Sequence, residues 1–413
     1  MTEEPKAGQA LTGEAGPEAA AVTPAARLAG YIQGGGVFVP VLTAILAFLI
    51  GGLVILVTGH NPFSTYKAIF NGTGLNWLFP WTSSDDRTTA ALNLQQTLIL
   101  TTPLILTGLA VAFAFRCGLF NIGGQGQYLV GTYFAVWVGS SFAGMPALLH
   151  ILFAMVTACL AGAAWGAIAG LLKAVAGAHE VISTIMLNWI AVWTGLFLFG
   201  LGGPLQSDTD TSVPVSNDVA ASAKLPVFFG DPELQGAHVG IFIALAALLV
   251  FWVLLNRTRT GFEVRAVGFN PEAARAAGIS VGRNYVVVMA VCGLFAGLAG
   301  SLDVLGWQFR VATNDIQISQ IGFLGIAVAL LGRNTAVGVL FSALFFGALL
   351  TGTSVRNLDP AVFEPALAAN LTWIIQGLVI LMVSADILVV YLWRLRGKLR
   401  RRGAPPPAEA SPA

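Results

Sequence analysis

Charge is what this chain has least of: Asp, Glu, Lys and Arg together make up 10% of its 413 residues, where soluble domains carry about 25%. A surface so poor in charge cannot be kept in water, which excludes a soluble enzyme. Cysteine is almost missing as well. The three present, Cys117, Cys159 and Cys292, lie far apart with no CxxC spacing, excluding a disulfide scaffold and arguing against a metal or redox site. The four histidines, His60, His150, His179 and His238, are dispersed and no HExxH occurs, so no metal site and no catalytic residue are expected. No GxxxxGK[ST] is present, so nucleotide phosphates are not cradled by that route. A net charge of +1 offers nothing to nucleic acid.

What is present is apolar. Hydrophobic residues make up 56% of the chain, and mean hydropathy is +0.78. They lie in runs of about 20, the length that crosses a hydrocarbon core of about 30 Å. Long uninterrupted runs favour helices over barrel strands, so the expected fold class is an all-α polytopic membrane protein. Ten spans are expected: 37–58, 91–115, 127–139, 145–174, 181–200, 239–255, 285–305, 318–331, 336–350 and 367–392. Residues 1–36, rich in Ala, Gly, Pro and Glu, read as a disordered tail without the basic start of a cleavable signal. Residues 37–392 are expected to form the transmembrane domain, and 393–413 a basic, then Pro/Ala-rich, cytoplasmic tail.

Positive charge orients the spans. The loop 257–283 carries Arg257, Arg259, Arg265, Arg275 and Arg283, and the C-terminal end adds six more Lys and Arg residues from Arg394 to Arg402. Arg116, Lys173 and Arg333 fall on that same side, whereas the loop 204–236, with Asp208, Asp210, Asp218, Asp231 and Glu233 against Lys224 alone, falls opposite. Both termini are therefore expected in the cytoplasm and 204–236 outside. The third and eighth spans are short and glycine-interrupted, each the third in a half of five; this predicts two inverted halves with a midplane solute path, or else two ordinary spans.

Polar and small residues inside the spans are few. Gly162, Gly166 and Gly170, and Gly293 and Gly297, make ridges suited to close helix packing. Ionisable residues are scarce (Glu180, Asp303 and Asp386), which weighs against an ion-coupled mechanism. Glu180, Thr184 and Asn188 fall at i, i+4 and i+8 on one face. Amides can both donate and accept, which suits a neutral polyhydroxyl or nucleobase solute as well as plain helix–helix bonding. The stretch Arg116–Tyr128 holds Asn121, Gly123, Gly124, Gln125, Gly126 and Gln127, whose glycines are expected to break helix geometry. It reads either as a gate or lining segment of the solute path or as a plain cytoplasmic hairpin.

In the loop 257–283 a short helix is expected from Pro271, with Asn270 as N-cap, Glu272 in the first turn, Ala273, Ala274 and Arg275 in its body and Gly278 ending it. Such a helix suits a cytoplasmic partner pushing on the membrane domain, or an interfacial helix on anionic lipid.

Three stretches carry a resemblance: GLFNIGGQGQYLVG (118–131), HEVISTIMLNWIA (179–191) and GFEVRAVGFNPEAARAAGI (261–279). Together they resemble permease subunits of bacterial ABC importers, a family serving branched-chain amino acids, ribose-type sugars and nucleosides, and within it the nucleoside branch. The likeness runs from Val37 to Val390. It implies a helical bundle of about ten spans in the bacterial cytoplasmic membrane, moving solute by alternating access. It implies a separate cytoplasmic ATPase that binds ATP and receives 270–278 as a coupling helix. It also implies a second, different permease subunit and an extracytoplasmic solute-binding lipoprotein. A sugar or a branched-chain amino acid is the alternative solute; an ion-coupled carrier is the mechanistic alternative.

Overall fold

With so little charge to interrupt them, the apolar runs become helices. The computed structural model describes residues 38–142, 144–230 and 236–354, with isolated positions from 357 to 378. Helix α1 (Phe38–Val57) is followed by α2 (Pro62–Gly72), α3 (Ser84–Arg116), α4 (Gly124–Ser141), α5 (Ala147–Ala176), α6 (Glu180–Phe199) and α7 (Gly240–Arg257). Next come α8 (Arg259–Phe269), α9 (Pro271–Ala276), α10 (Val281–Asp303), α11 (Thr313–Ile318), α12 (Ile321–Leu331) and α13 (Ala336–Gly352). A small antiparallel hairpin pairs β1 (Val227–Phe229) with β2 (Ala237–His238).

Nine of the expected spans coincide with helices, and the tenth, 367–392, lies largely outside the described residues, as do both tails. Among the described residues six helical stretches are long and apolar enough to cross a membrane: α3, α5, α6, α7, α10 with its continuation to Gln308, and α11–α12 taken together. A seventh is obtained if α1 and α2, bent by 120° at a short break, count as one. The protein is a helical, multi-pass membrane protein. Hydropathy alone did not show α2, which starts where Asn61 Oδ1 accepts from Phe63 N–H and Pro62 fits the first turn.

Helix α3 is the centre of the bundle, fully buried from Leu104 to Ala114. It carries Pro103 within its length. Around it, α5 and α10 meet through the expected glycine ridges. A methyl at Gly162 would collide with the Gly293 carbonyl, one at Gly166 with Met289 O, and one at Gly297 with Ala158 O. Only hydrogen fits there, and the two backbones touch.

The two ends of the bundle differ in charge. At one end Arg116 donates to the Asn334 carbonyl at 2.7 Å, Lys173 pairs with Glu180 at 2.5 Å, and α8 packs under Arg116 through Gly268. At the other end the loop 204–230 is clasped to the bundle: Val219 N–H donates to Phe309 O, Leu225 N–H to Leu305 O and Ala220 N–H to Gly139 O.

Candidate functional site

The chain between α3 and α4 is where regular structure gives way. Gly118 turns it with φ +72°, Leu119 and Asn121 are buried, and α4 starts only at Gly124. Its first turn lies level with Asn188, eight residues into α6, which is about 12 Å along that helix at 1.5 Å per residue. The segment is packed inside the bundle.

The expectation about its glycines needs correcting. Gly124 and Gly126 do not break the helix; they belong to its first turn, and neither has positive φ. They are small because neighbours are close: a Cβ on Gly126 would sit 2.9 Å from Asn188 Oδ1 and 3.0 Å from Asn188 Cα, and one on Gly124 3.3 Å from Gly322 O. Gly123 sits at the N-cap, with Thr184 Cβ 3.1 Å from where its own Cβ would be.

The structure brings the expected path residues together. Asn121 and Gln127 form a reciprocal amide pair at 3.0 and 3.2 Å, and Asn121 Oδ1 also accepts from Gly123 N–H. Asn188 spans the irregular link, accepting from Gly126 N–H at 2.8 Å and donating to Ile122 O at 2.9 Å. Thr184 donates back to Glu180 O within α6, a turn below Asn188. In this conformation these side chains bond to one another and to backbone, as buried polar groups must.

Gln125 is different. Its Oε1 accepts from Gly322 N–H at 2.8 Å, while its buried Nε2 has no partner among the described residues. Gly322 is the second residue of α12, which runs from there towards the basic end, whereas α4 runs the opposite way. The two helices thus start against each other, and the positive ends of two helix dipoles converge on one amide. Ser319, just before α12, also has a buried hydroxyl oxygen without a partner among the described residues. Neither Ser319 nor Gly322 was singled out from sequence; the glycine in IGFLG was the available signal.

One turn further along α4, Tyr128 donates to Asp303 Oδ2, and Trp307 and Gln308 also donate to this buried carboxylate. Asp303 closes α10 just before a wide π turn, Val304–Gln308.

On the basic end, α9 forms as expected. Asn270 Oδ1 accepts from Glu272 and Ala273 N–H at 2.9 and 3.1 Å, Gly278 has φ +82°, and Arg275 pairs with Glu272 at 3.1 Å. Ala274 is buried against its surroundings. The helix α8 that precedes it was not foreseen. Together α8 and α9 frame a groove of about 540 Å³ lined by Phe262, Ala266, Ala273, Ala277 and Ser280 among others. Phe269, 92% exposed, stands beside it. In α8, hydrogen bonds from Arg259 and Asn284 hold the Glu263 carboxyl below the ordinary range.

Residues 93–384 match the family described as branched-chain amino acid transport system / permease component. The chain belongs to this family. It is therefore a permease component of a transport system rather than an enzyme. The guanosine ABC transporter permease protein NupP of Bacillus subtilis is 38% identical over 89% of this chain and 97% of its own length. The nucleoside ABC transporter permease protein NupB of Lactococcus lactis is 32% identical over 86% and 92%. A glucose ABC transporter permease protein of Haloferax volcanii is 35% identical over 90% and 93%. No solved structure matches. The matched span takes in the α3–α4 link, α6 and the α8–α9 corner, so every site residue named above lies within the permease family region.

Proposed function

We propose that this permease is the membrane subunit of an ATP-driven importer for nucleosides or related purine and pyrimidine compounds. The single observation that carries the solute class is the 38% identity over 89% of the chain to a guanosine permease. The glucose permease at 35% supports a sugar as the second reading; a nucleoside contains a pentose, and the two solutes share polyhydroxyl chemistry. Membership of this family leaves the ion-coupled alternative without support.

In this reading the basic end is cytoplasmic, the membrane is a bacterial cytoplasmic membrane, and ten spans form two inverted halves of five. The opposed directions of α4 and α12 support the inversion. A cytoplasmic ATPase binds and hydrolyses ATP and seats α9, through Asn270 to Gly278, in its own groove; the exposed Phe269 beside it favours a protein neighbour over lipid headgroups. A solute-binding lipoprotein delivers to the loop 204–236. A second permease completes the path. The weaker likeness to NupQ of Bacillus subtilis, 30% identical over 64% of the chain, supports a paired and different subunit. Asn121, Gly123, Gly124, Gln125, Gly126, Gln127, Thr184 and Asn188 form the gate, with the α4–α12 junction as its moving joint. The unpartnered Gln125 Nε2 is the group best placed to meet an acceptor on the solute when the joint opens.

Uptake of radiolabelled guanosine, uridine, ribose and glucose by cells with and without the gene, repeated with an ATPase-dead partner, tests this. Loss of nucleoside uptake in both strains is expected. Retained nucleoside uptake with lost sugar uptake would establish the second reading.

A further inference from the structure

A cavity of about 860 Å³ lies at the basic end between α3, α7, α12 and α13, with Ala44 of α1 at its edge. Its size falls in the range of small-molecule sites, about 300–1,000 Å³. Its two parts differ in chemistry. Phe251, Trp252, Leu255, Phe341 and Phe345 make its apolar part, whereas Arg116, Arg265 and Arg333 are its cations, with no carboxylate among the described lining residues.

The α12–α13 turn builds the polar side. Arg333 and Asn334 both take positive φ, 51° and 54°, an uncommon conformation for residues other than glycine. The turn is held by Arg116 Nε and Nη2, which donate to the Asn334 carbonyl at 3.0 and 2.7 Å. Arg265 is steadied by Asn256 Oδ1 at 3.2 Å. Ala336, Val337 and Gly338, the first turn of α13, also line the cavity, so a positive dipole end adds to the guanidinium groups. Asn334 Oδ1 is buried and has no partner among the described residues. The site therefore offers cationic donors together with one acceptor awaiting a donor.

The mouth of the cavity is apolar. Val337 and Phe341 are 66% and 65% exposed, although both are apolar and flank its mouth. An exposed apolar mouth on a multi-pass membrane protein is suited to a lipid chain.

We propose that this cavity binds an anionic phospholipid with a hydroxylated, glycerol-type headgroup. The phosphodiester sits among Arg265, Arg333 and the α13 N-terminus, a headgroup hydroxyl donates to Asn334 Oδ1, and the upper acyl chain lies along Phe341, Phe345 and Trp252. Basic pockets between spans on the cytoplasmic side suit such headgroups. A free phosphate ester would leave the aromatic wall uncovered.

The test is native mass spectrometry on the purified, delipidated full-length protein, titrated with phosphatidylglycerol, phosphatidylethanolamine and phosphatidylcholine. Phosphatidylglycerol is expected to be retained in preference to the other two. Removing two surface-level cations in Arg265→Gln/Arg333→Gln should weaken its retention by about 30-fold. Ser342→Trp, which fills the cavity without changing charge, should also abolish it. The charge-matched control Arg259→Gln/Arg275→Gln, outside the cavity, should bind as the unaltered protein does. Thermal unfolding of each variant shows whether it is folded, and the charge and filling variants stand in for one another if either is not.

Equal retention of the three lipids, no retention by the unaltered protein, or unchanged retention in either cavity variant would overturn the proposal. So would an equal loss in the control pair, which would reveal charge attraction alone, or displacement by glycerol 3-phosphate, which would assign the site to soluble phosphate esters.

Discussion

The backbone N–H of Gly322 in α12 donates to Oε1 of Gln125 in α4 at 2.8 Å, across 197 residues of sequence. The contact exists because nothing larger than hydrogen fits: a Cβ on Gly322 would overlap the backbone nitrogen and Cα of Gln125. Gly322→Val should therefore force α4 and α12 apart and cost about 1–3 kcal/mol or more of stability. A lowered unfolding temperature of the purified protein and lost uptake are expected; wild-type values in both would remove the junction from the mechanism.

Asn188 ties the first turn of α4 to the irregular link before it with one side chain. Asn188→Ala strips Gly126 N–H of its acceptor in buried surroundings and Ile122 O of its donor in part-buried ones. Leaving buried groups unpaired costs about 1–3 kcal/mol each. Uptake should fall, and hydrogen exchange at Gly126 should accelerate; protection at that amide as in the unaltered protein would show that another group holds the link.

Exchanging the charges of the surface pair, Glu272→Arg with Arg275→Glu, should leave the fold intact. Their mutual attraction survives the swap, and exposed pairs contribute little in any case. Binding to the ATPase should weaken on the order of tenfold, because the pattern facing the partner is reversed. Co-purification of the ATPase with the double variant at the unaltered yield would remove the coupling role.

Burial pushes His238 down to about 4. Its Nδ1 accepts from Gly240 N–H, so the ring is neutral with its proton on Nε2. The unfolded histidine titrates near 6.5, so between about 6.5 and 4 the unfolded state binds the extra proton. The stability this group contributes is full above 6.5 and is lost as pH falls to 4, by about 3 kcal/mol in total. Unfolding temperatures measured from pH 7.5 to 4.5 should decline, and His238→Gln should flatten that decline.

Much of this was legible beforehand because it is local. Asn270 and Gly278 show α9's ends in the sequence, since caps act within one turn. The ridges Gly162–Gly170 and Gly293–Gly297 are visible because close packing repeats every four residues. Composition alone gave the membrane class. The reason for Gly124 and Gly126 was not legible: local rules make glycine a helix breaker, whereas its partners here, Gly322 and Asn188, are distant in sequence. The helices α2 and α8 escaped for another reason. Each is 11 residues long and only mildly apolar, so its hydropathy does not stand out beside the spans.

The glycine seam between α5 and α10 has a mechanical meaning. Helices separated by side chains can slide, because rotamers give way between them. At Gly162, Gly166, Gly293 and Gly297 no such layer exists. Advancing one helix past the other by a single residue, about 1.5 Å, would drive a β-carbon into a carbonyl. The pair is thus one stiff beam through the width of the protein. When the transporter changes shape, α5 and α10 are expected to travel as a unit.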